Sequence, residues 1–149
     1  MRNKVNEIKV SYKERIPAKF WQKISSSKDA AEVFYENWDK DTIGFRESFQ
    51  VMLLNNANKV KGIYELSRGG LTGTIVDMRI LNGLIFKSLT VGFLLAHNHP
   101  SGTRKPSQSD IALTEKIKTA WELFDVKLLD HIILTPYGDY YSFADEGLL

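Results

Sequence analysis

The run GFLLAHNHPSG, residues 92–102, restricts the fold more than any other part of the chain. Its first half is apolar at consecutive positions, as in a buried strand of a sheet covered on both faces. Its second half stops that strand. Pro100 cannot continue a paired central strand, and Gly102 permits a sharp turn. Residues two apart on a strand point to the same side, about 6.6 Å apart along the chain. His97 and His99 therefore share one side at the strand end, and Asn98 takes the other.

The remaining segments supply partners for such a strand. EIKVSYKER alternates as a strand, and SSSK precedes a helical pattern of Ala30, Val33, Phe34 and Trp38. ESFQVMLLN and KVKGIYELS read as two strands of a hairpin turning at Asn55–Asn58, with GLTGTIVD as a third strand. Leu81, Leu84, Ile85 and Leu89 mark a second helix. Ser107 opens a third, with apolar positions Leu113, Ile117, Ala120, Trp121 and Phe124. VKLLDHIILT and YYSFADEG add one or two further strands and a closing segment. Helices alternating irregularly with strands predict a mixed α/β domain around a central sheet.

At 149 residues the chain is the size of one domain and long enough to bury a core. No apolar run reaches the roughly 18 residues of a membrane-spanning helix, and the N-terminus lacks the apolar stretch of a secretory signal. With no cysteine there is no disulfide framework and no thiolate metal site, which suits a cytoplasmic protein. Any metal must use His, Asp or Glu. Charge is uneven: residues 1–28 carry a net +6, leaving −4 for the rest. Such a basic arm can touch nucleic acid or an acidic partner, or simply form a solvated edge. No zinc-finger or RNA-recognition spacing accompanies it.

Two imidazoles, a carboxylate and one water make a four-coordinate zinc site with an open position. Asp110 can supply the carboxylate: Pro106 stiffens the approach, Ser107 is a good N-cap, and Asp110 falls in the first turn of the helix. The same Ser107-x-x-Asp110 is also a capping sequence with its carboxylate settled against the helix dipole. A His-x-His can be two solvated histidines at a strand end. Asn98 and the Ser101–Gly102 pair read as turn chemistry, and Arg104 and Lys105 as solvated cations. Gly69, Gly70 and Gly73 read as turn or bulge residues, since no Gly-Lys-Ser/Thr follows.

His97-Asn98-His99, seven residues, Ser107, two residues and Asp110 resemble the His-x-His…Ser-x-x-Asp pattern of JAB/MPN metalloproteases, the JAMM motif. The wording AHNHPSG, LLDHIIL and YYSFADEGLL resembles the bacterial RadC-like branch in its short form, from about residue 45 to the C-terminus. The resemblance implies an MPN-like, cytidine-deaminase-like α-β-α arrangement around a curved mixed sheet, in a domain of residues 29–149 after a basic extension of residues 1–28. It implies His97, His99 and Asp110 as ligands of one zinc ion, with water as the fourth. It implies Ser107 as an oxyanion donor and an upstream glutamate as proton acceptor.

The family's Glu-x-Phe falls on Glu47-Ser48-Phe49, and strand alternation places Glu47 on the face of Phe49, Val51 and Leu53. Glu32, Glu36 and Glu65 are competitors that residue chemistry alone leaves open. His131 matches the family wording and reads as structural.

Three functions are consistent with these residues. The first is a zinc hydrolase of a peptide or isopeptide bond in a peptide or protein substrate. The second is a DNA-associated factor, carried only by the basic arm, whose charge gives non-specific affinity. The third is an inactive metal-binding scaffold; the full ligand pattern ranks it last.

Overall fold

The computed structural model describes residues 4–7, 9, 13–69 and 76–149. Within them the chain forms a short 3-10 turn (Ala18–Phe20), helices α1 (Ser27–Asn37), α2 (Met78–Lys87) and α3 (Gln108–Glu122), and five strands. These are β1 (Ser48–Leu54), β2 (Val60–Arg68), β3 (Gly92–Asn98), β4 (Lys127–Leu134) and β5 (Tyr140–Ser142). Of the strand expected over 70–77, residues 70–75, with Gly70 and Gly73, lie outside the described residues; of that expected over 7–15, residues 7, 9 and 13–15 are described and none is in a strand.

The five strands make one mixed sheet in the order β2-β1-β3-β4-β5. β1 and β2 form the expected antiparallel hairpin, β3 runs antiparallel to β1 and parallel to β4, and α3 makes the crossover that a parallel pair requires. β3 is central and buried at every position. Its apolar run is explained by packing on both faces. On one face α1 contributes Ala30, Val33 and Phe34 to a core with Met52, Leu54, Leu94, Ala96, Ile132 and Leu134. On the other, α2 and α3 pack Leu81, Ile85, Ile117 and Trp121 against Phe49, Val51, Phe93 and Leu95. This is a mixed α/β fold with helices on both faces, consistent with an MPN/JAB-like architecture.

Each helix begins behind a side-chain cap, including Asp77, which the sequence pattern assigns to a strand. Ser26 accepts the N–H of Asp29 at 3.2 Å, and Asp77 accepts that of Arg79 at 2.9 Å. Three apolar assignments fail. Leu89 and Phe124 lie beyond the ends of α2 and α3, with 77% and 57% of their surface exposed, and Ala120 is exposed on α3. Leu89 adopts a positive φ of 52°, which ends the helical register. The buried stripe of α3 is Thr114, Ile117 and Trp121, so a polar residue occupies a position that periodicity reserves for an apolar one.

Residues 22–24 are tied to the hairpin: Ile24 N–H donates to Asn58 O and Val60 N–H to Gln22 O, both at 2.9 Å. The described Lys and Arg residues before position 29 are exposed. Among the described residues no helix is long and apolar enough to cross a membrane.

Candidate metal centre

The ladder between β3 and β4 extends one residue past the strand, because His99 N–H donates to Leu134 O at 2.9 Å. Pro100 then ends the pairing. Gly102 N–H returns to His99 O at 3.0 Å with φ +85°, where a Cβ would approach Tyr137 to 2.9 Å. Glycine is required there on both counts. This turn brings Thr103 O within 2.7 Å of His99 Nδ1. A carbonyl only accepts, so Nδ1 carries the proton and Nε2 presents its lone pair.

His97 is oriented by a longer chain. Its Nδ1 lies 2.8 Å from His131 Nε2, and His131 Nδ1 lies 2.6 Å from Thr114 Oγ1. The Thr114 hydroxyl donates to Asp110 O at 2.7 Å. Followed back from that carbonyl, each group accepts from the next: Thr114 from His131 Nδ1–H, and His131 Nε2 from His97 Nδ1–H. Nε2 of His97 is left with its lone pair directed away from the chain. His131 is fully buried, and burial together with the nearby His97 holds its pKa well below the ordinary histidine value. It is neutral, as this chain of donors demands. Phe49 stacks on the His97 ring with centroids 5.7 Å apart, and Phe143 stacks on His131 at 4.6 Å.

The two Nε2 atoms are 3.0 Å apart, and Asp110 Oδ2 is 3.4 Å from that of His97 and 3.5 Å from that of His99. Ligand atoms placed tetrahedrally about zinc at bonds of roughly 2.0–2.1 Å are separated by about 3.3–3.4 Å. Three electron-pair donors this close, with their protons directed elsewhere, are a donor set that fits one divalent cation. Glu47 closes the cluster: one ligand atom from each of Glu47, His97 and His99 lies within 4.8 Å of the others, so this group can hold a metal ion. Two carboxylates thus flank the histidine pair. Asp110 makes the tighter triangle, and its Oδ2 also accepts the Ser107 N–H at 2.8 Å.

The capping and ligand roles of Asp110 coexist. Ser107 Oγ accepts Asp110 N–H at 3.0 Å while Asp110 Oδ2 returns the bond, a complete capping box that pins the carboxylate beside the imidazoles. Burial opposes ionisation of Asp110, but the adjoining imidazoles of His97 and His99 outweigh it and hold the carboxyl well below the usual range. His99 is pulled down by its partial burial, yet Asp110 and Thr103 O together raise its pKa.

Glu47 stands one residue before β1, with the parity that alternation assigns it. Its position is held from the opposite face of the sheet. The wholly buried Asn98 accepts Ser48 N–H at 2.7 Å and donates to Ile43 O and Arg46 O at 2.9 Å each. The residue between the two histidines therefore staples the segment that carries the glutamate. Of the competing glutamates, Glu32 and Glu36 are exposed on α1, and Glu65 bonds Ser48 Oγ and Arg68. Arg104 is exposed and pairs with Asp139 at 3.5 Å.

Sequence pattern missed Thr114, and it undervalued His131 and Asn98. The available signal for Thr114 was its place four residues after Asp110, on the same helical face.

Comparison with known proteins agrees with this geometry. The family model described as RadC-like JAB domain matches residues 24–148, starting well before the stretch where the wording becomes recognisable. A UPF0758 protein of Flavobacterium johnsoniae is 49% identical over 129 residues, covering 85% of this chain and 54% of the relative. UPF0758 proteins of Porphyromonas gingivalis and Verminephrobacter eiseniae are 44% and 45% identical, covering 70% and 69% of the chain and 46% and 43% of their own lengths. The chain spans about half the length of these relatives. With the match running through every element that builds the histidine cluster, the chain belongs to the RadC-like JAB domain family.

Proposed function

We propose that the chain is a zinc-dependent hydrolase of a peptide or isopeptide bond, with His97, His99 and Asp110 as ligands of one ion. The observation that carries this reading is the convergence of two Nε2 lone pairs and one carboxylate oxygen within 3.5 Å of one another. A bound zinc ion supplies Lewis acidity, polarising the scissile carbonyl and lowering the pKa of water toward about 7.

The remaining work falls to side chains of the protein. His97, His99 and Asp110 would hold the ion with three protein ligands, the number typical of catalytic rather than structural zinc sites. Glu47 lies close enough to the histidines to accept a proton from water held there, and it returns that proton to the leaving amine. Ser107 Oγ already accepts one N–H, so its own hydrogen is free to donate to the oxyanion as the carbonyl becomes tetrahedral. The relay through His131 and Thr114 keeps the His97 proton on Nδ1, away from the ion.

Replacement Glu47→Gln tests the assignment. Zinc content should stay at one per chain while hydrolysis of a peptide library disappears. Unchanged turnover removes Glu47 from the chemistry. Stoichiometric zinc with no hydrolysis by the unaltered protein would favour the scaffold reading.

A further inference from the structure

On the face of the sheet opposite the histidines lies a cavity of about 340 Å³. It opens between the C-terminal end of α1 and the outer strands β1 and β2. Its walls are mostly polar, with Arg46, Gln50 and Asp39 among them, and Trp38 and Ile63 give it an apolar side. Among the described residues, two buried side-chain polar atoms lack a hydrogen-bond partner, Arg46 Nε and Gln50 Oε1. Both belong to residues lining this one cavity.

That coincidence is informative because a buried polar group without a partner costs about 1–3 kcal/mol. Folded proteins leave few of them, and each asks for an explanation. Gln50 retains only 8% of its surface, so it is not a surface amide turning freely in solvent. The other cation of the cavity is already neutralised, since Arg68 Nε holds Glu65 at 2.8 Å. Arg46 has no acidic partner among the described residues. Its backbone is fixed by Asn98, so the guanidinium with its unpartnered Nε is carried on a rigid segment.

We propose that this cavity binds a small carboxylate with an N–H donor beside it, the pattern shared by an α-amino acid and the C-terminal residue of a peptide. The carboxylate answers the Arg46 guanidinium, which matches carboxylate geometry. The neighbouring N–H answers Gln50 Oε1, and Asp39 adds a negative charge to the cavity wall. Arg46 and Arg68 balance Asp39 and Glu65, which suits an amphoteric ligand better than a simple anion. Trp38 and Ile63 suit a short aliphatic side chain. The site does not depend on the metal chemistry, because it lies across the sheet from the imidazoles.

The test uses L-alanine, N-acetyl-L-alanine and L-alaninamide as probes on the full chain, followed by NMR of the Gln50 side-chain amide and the Trp38 indole. Saturable shifts are expected with a carboxylate probe and not with L-alaninamide. Binding of L-alanine alone points to a free amino acid, and binding of the acetylated probe to a peptide end. Arg46→Gln should weaken the bound probe at least tenfold. Gln50→Leu should abolish probe binding while leaving the unfolding midpoint of the free protein unchanged or higher, because it removes an unpaired acceptor. Failure of both carboxylate probes, equal binding of L-alaninamide, or a lower midpoint for Gln50→Leu overturns the proposal and leaves a cavity filled by water.

Discussion

His97 and His131 sit on adjacent parallel strands, and their rings meet nitrogen to nitrogen at 2.8 Å. With Thr114 and Asp110 they close a ring of contacts: Asp110 faces His97 through its carboxylate and receives Thr114 through its carbonyl. Partners that fix the tautomer of a metal-binding histidine are worth about 10–100-fold in affinity. His131→Phe should therefore weaken zinc by that factor, measured by competition with a chromophoric chelator. Unchanged affinity would show that the His97 ring needs no such partner.

Thr114→Val keeps the shape of the side chain and removes the hydroxyl. His131 Nδ1–H then loses its acceptor in a fully buried place, at a cost of about 1–3 kcal/mol. Chemical denaturation should register that loss, and zinc affinity should fall with it. A stability change below about 0.5 kcal/mol would indicate that His131 turns to another partner.

Ser107 has two separable jobs. Ser107→Ala should lose roughly 1 kcal/mol of stability with its cap and about 10²–10³ in turnover with its hydroxyl. Ser107→Asp restores the cap but has no hydroxyl proton, so stability should recover while turnover stays low. Recovery of both would reduce Ser107 to a capping residue.

Asn98→Ala removes three hydrogen bonds of a buried side chain at once and frees the segment before β1. Taking about 1 kcal/mol for each, the variant should be roughly 3 kcal/mol less stable. Zinc should still bind, because the ligands do not use this side chain, whereas turnover should drop as Glu47 loses its support. Equal losses of zinc and turnover would contradict the separation.

Asp130 provides the pH dependence. Burial raises its pKa above 3.8, against the opposing hydrogen bonds from Ser142 Oγ, Ala144 N–H and His131 N–H. The folded state therefore holds the proton more tightly than the unfolded chain. Its stabilising contribution is complete below pH 3.8 and fades as pH rises through the folded value. Asp130→Asn, which cannot ionise, should gain on the unaltered protein over that interval in urea unfolding. A difference independent of pH would refute the assignment.

The strength of local pattern shows at β3, where a consecutive apolar run ending in His-Asn-His determined the central strand and the shared side of the two imidazoles. Capping chemistry located α3, and with it Asp110. What local pattern could not carry was anything set by register across strands. His131 meets His97 because β4 runs parallel to β3 with Leu95 opposite His131, and no spacing within LLDHIIL encodes that. Thr114 was hidden for the converse reason, since apolar periodicity treats a buried hydroxyl as an exposed one. Leu89 and Phe124 show the opposite error: apolar residues just past a helix end continue its period without sharing its environment.

The crossover between β3 and β4 has a consequence for how zinc and folding are coupled. Two of the proposed ligands end β3, the third starts α3, and the residue that orients His97 arrives on β4, so no fragment short of the assembled sheet offers the whole donor set. Any affinity for zinc thereby belongs to the native state, and mass action should protect the protein against heat by about 2.7 kcal/mol at a hundredfold excess over the dissociation constant. The ion would act as a clasp on the last parts of the chain to come together.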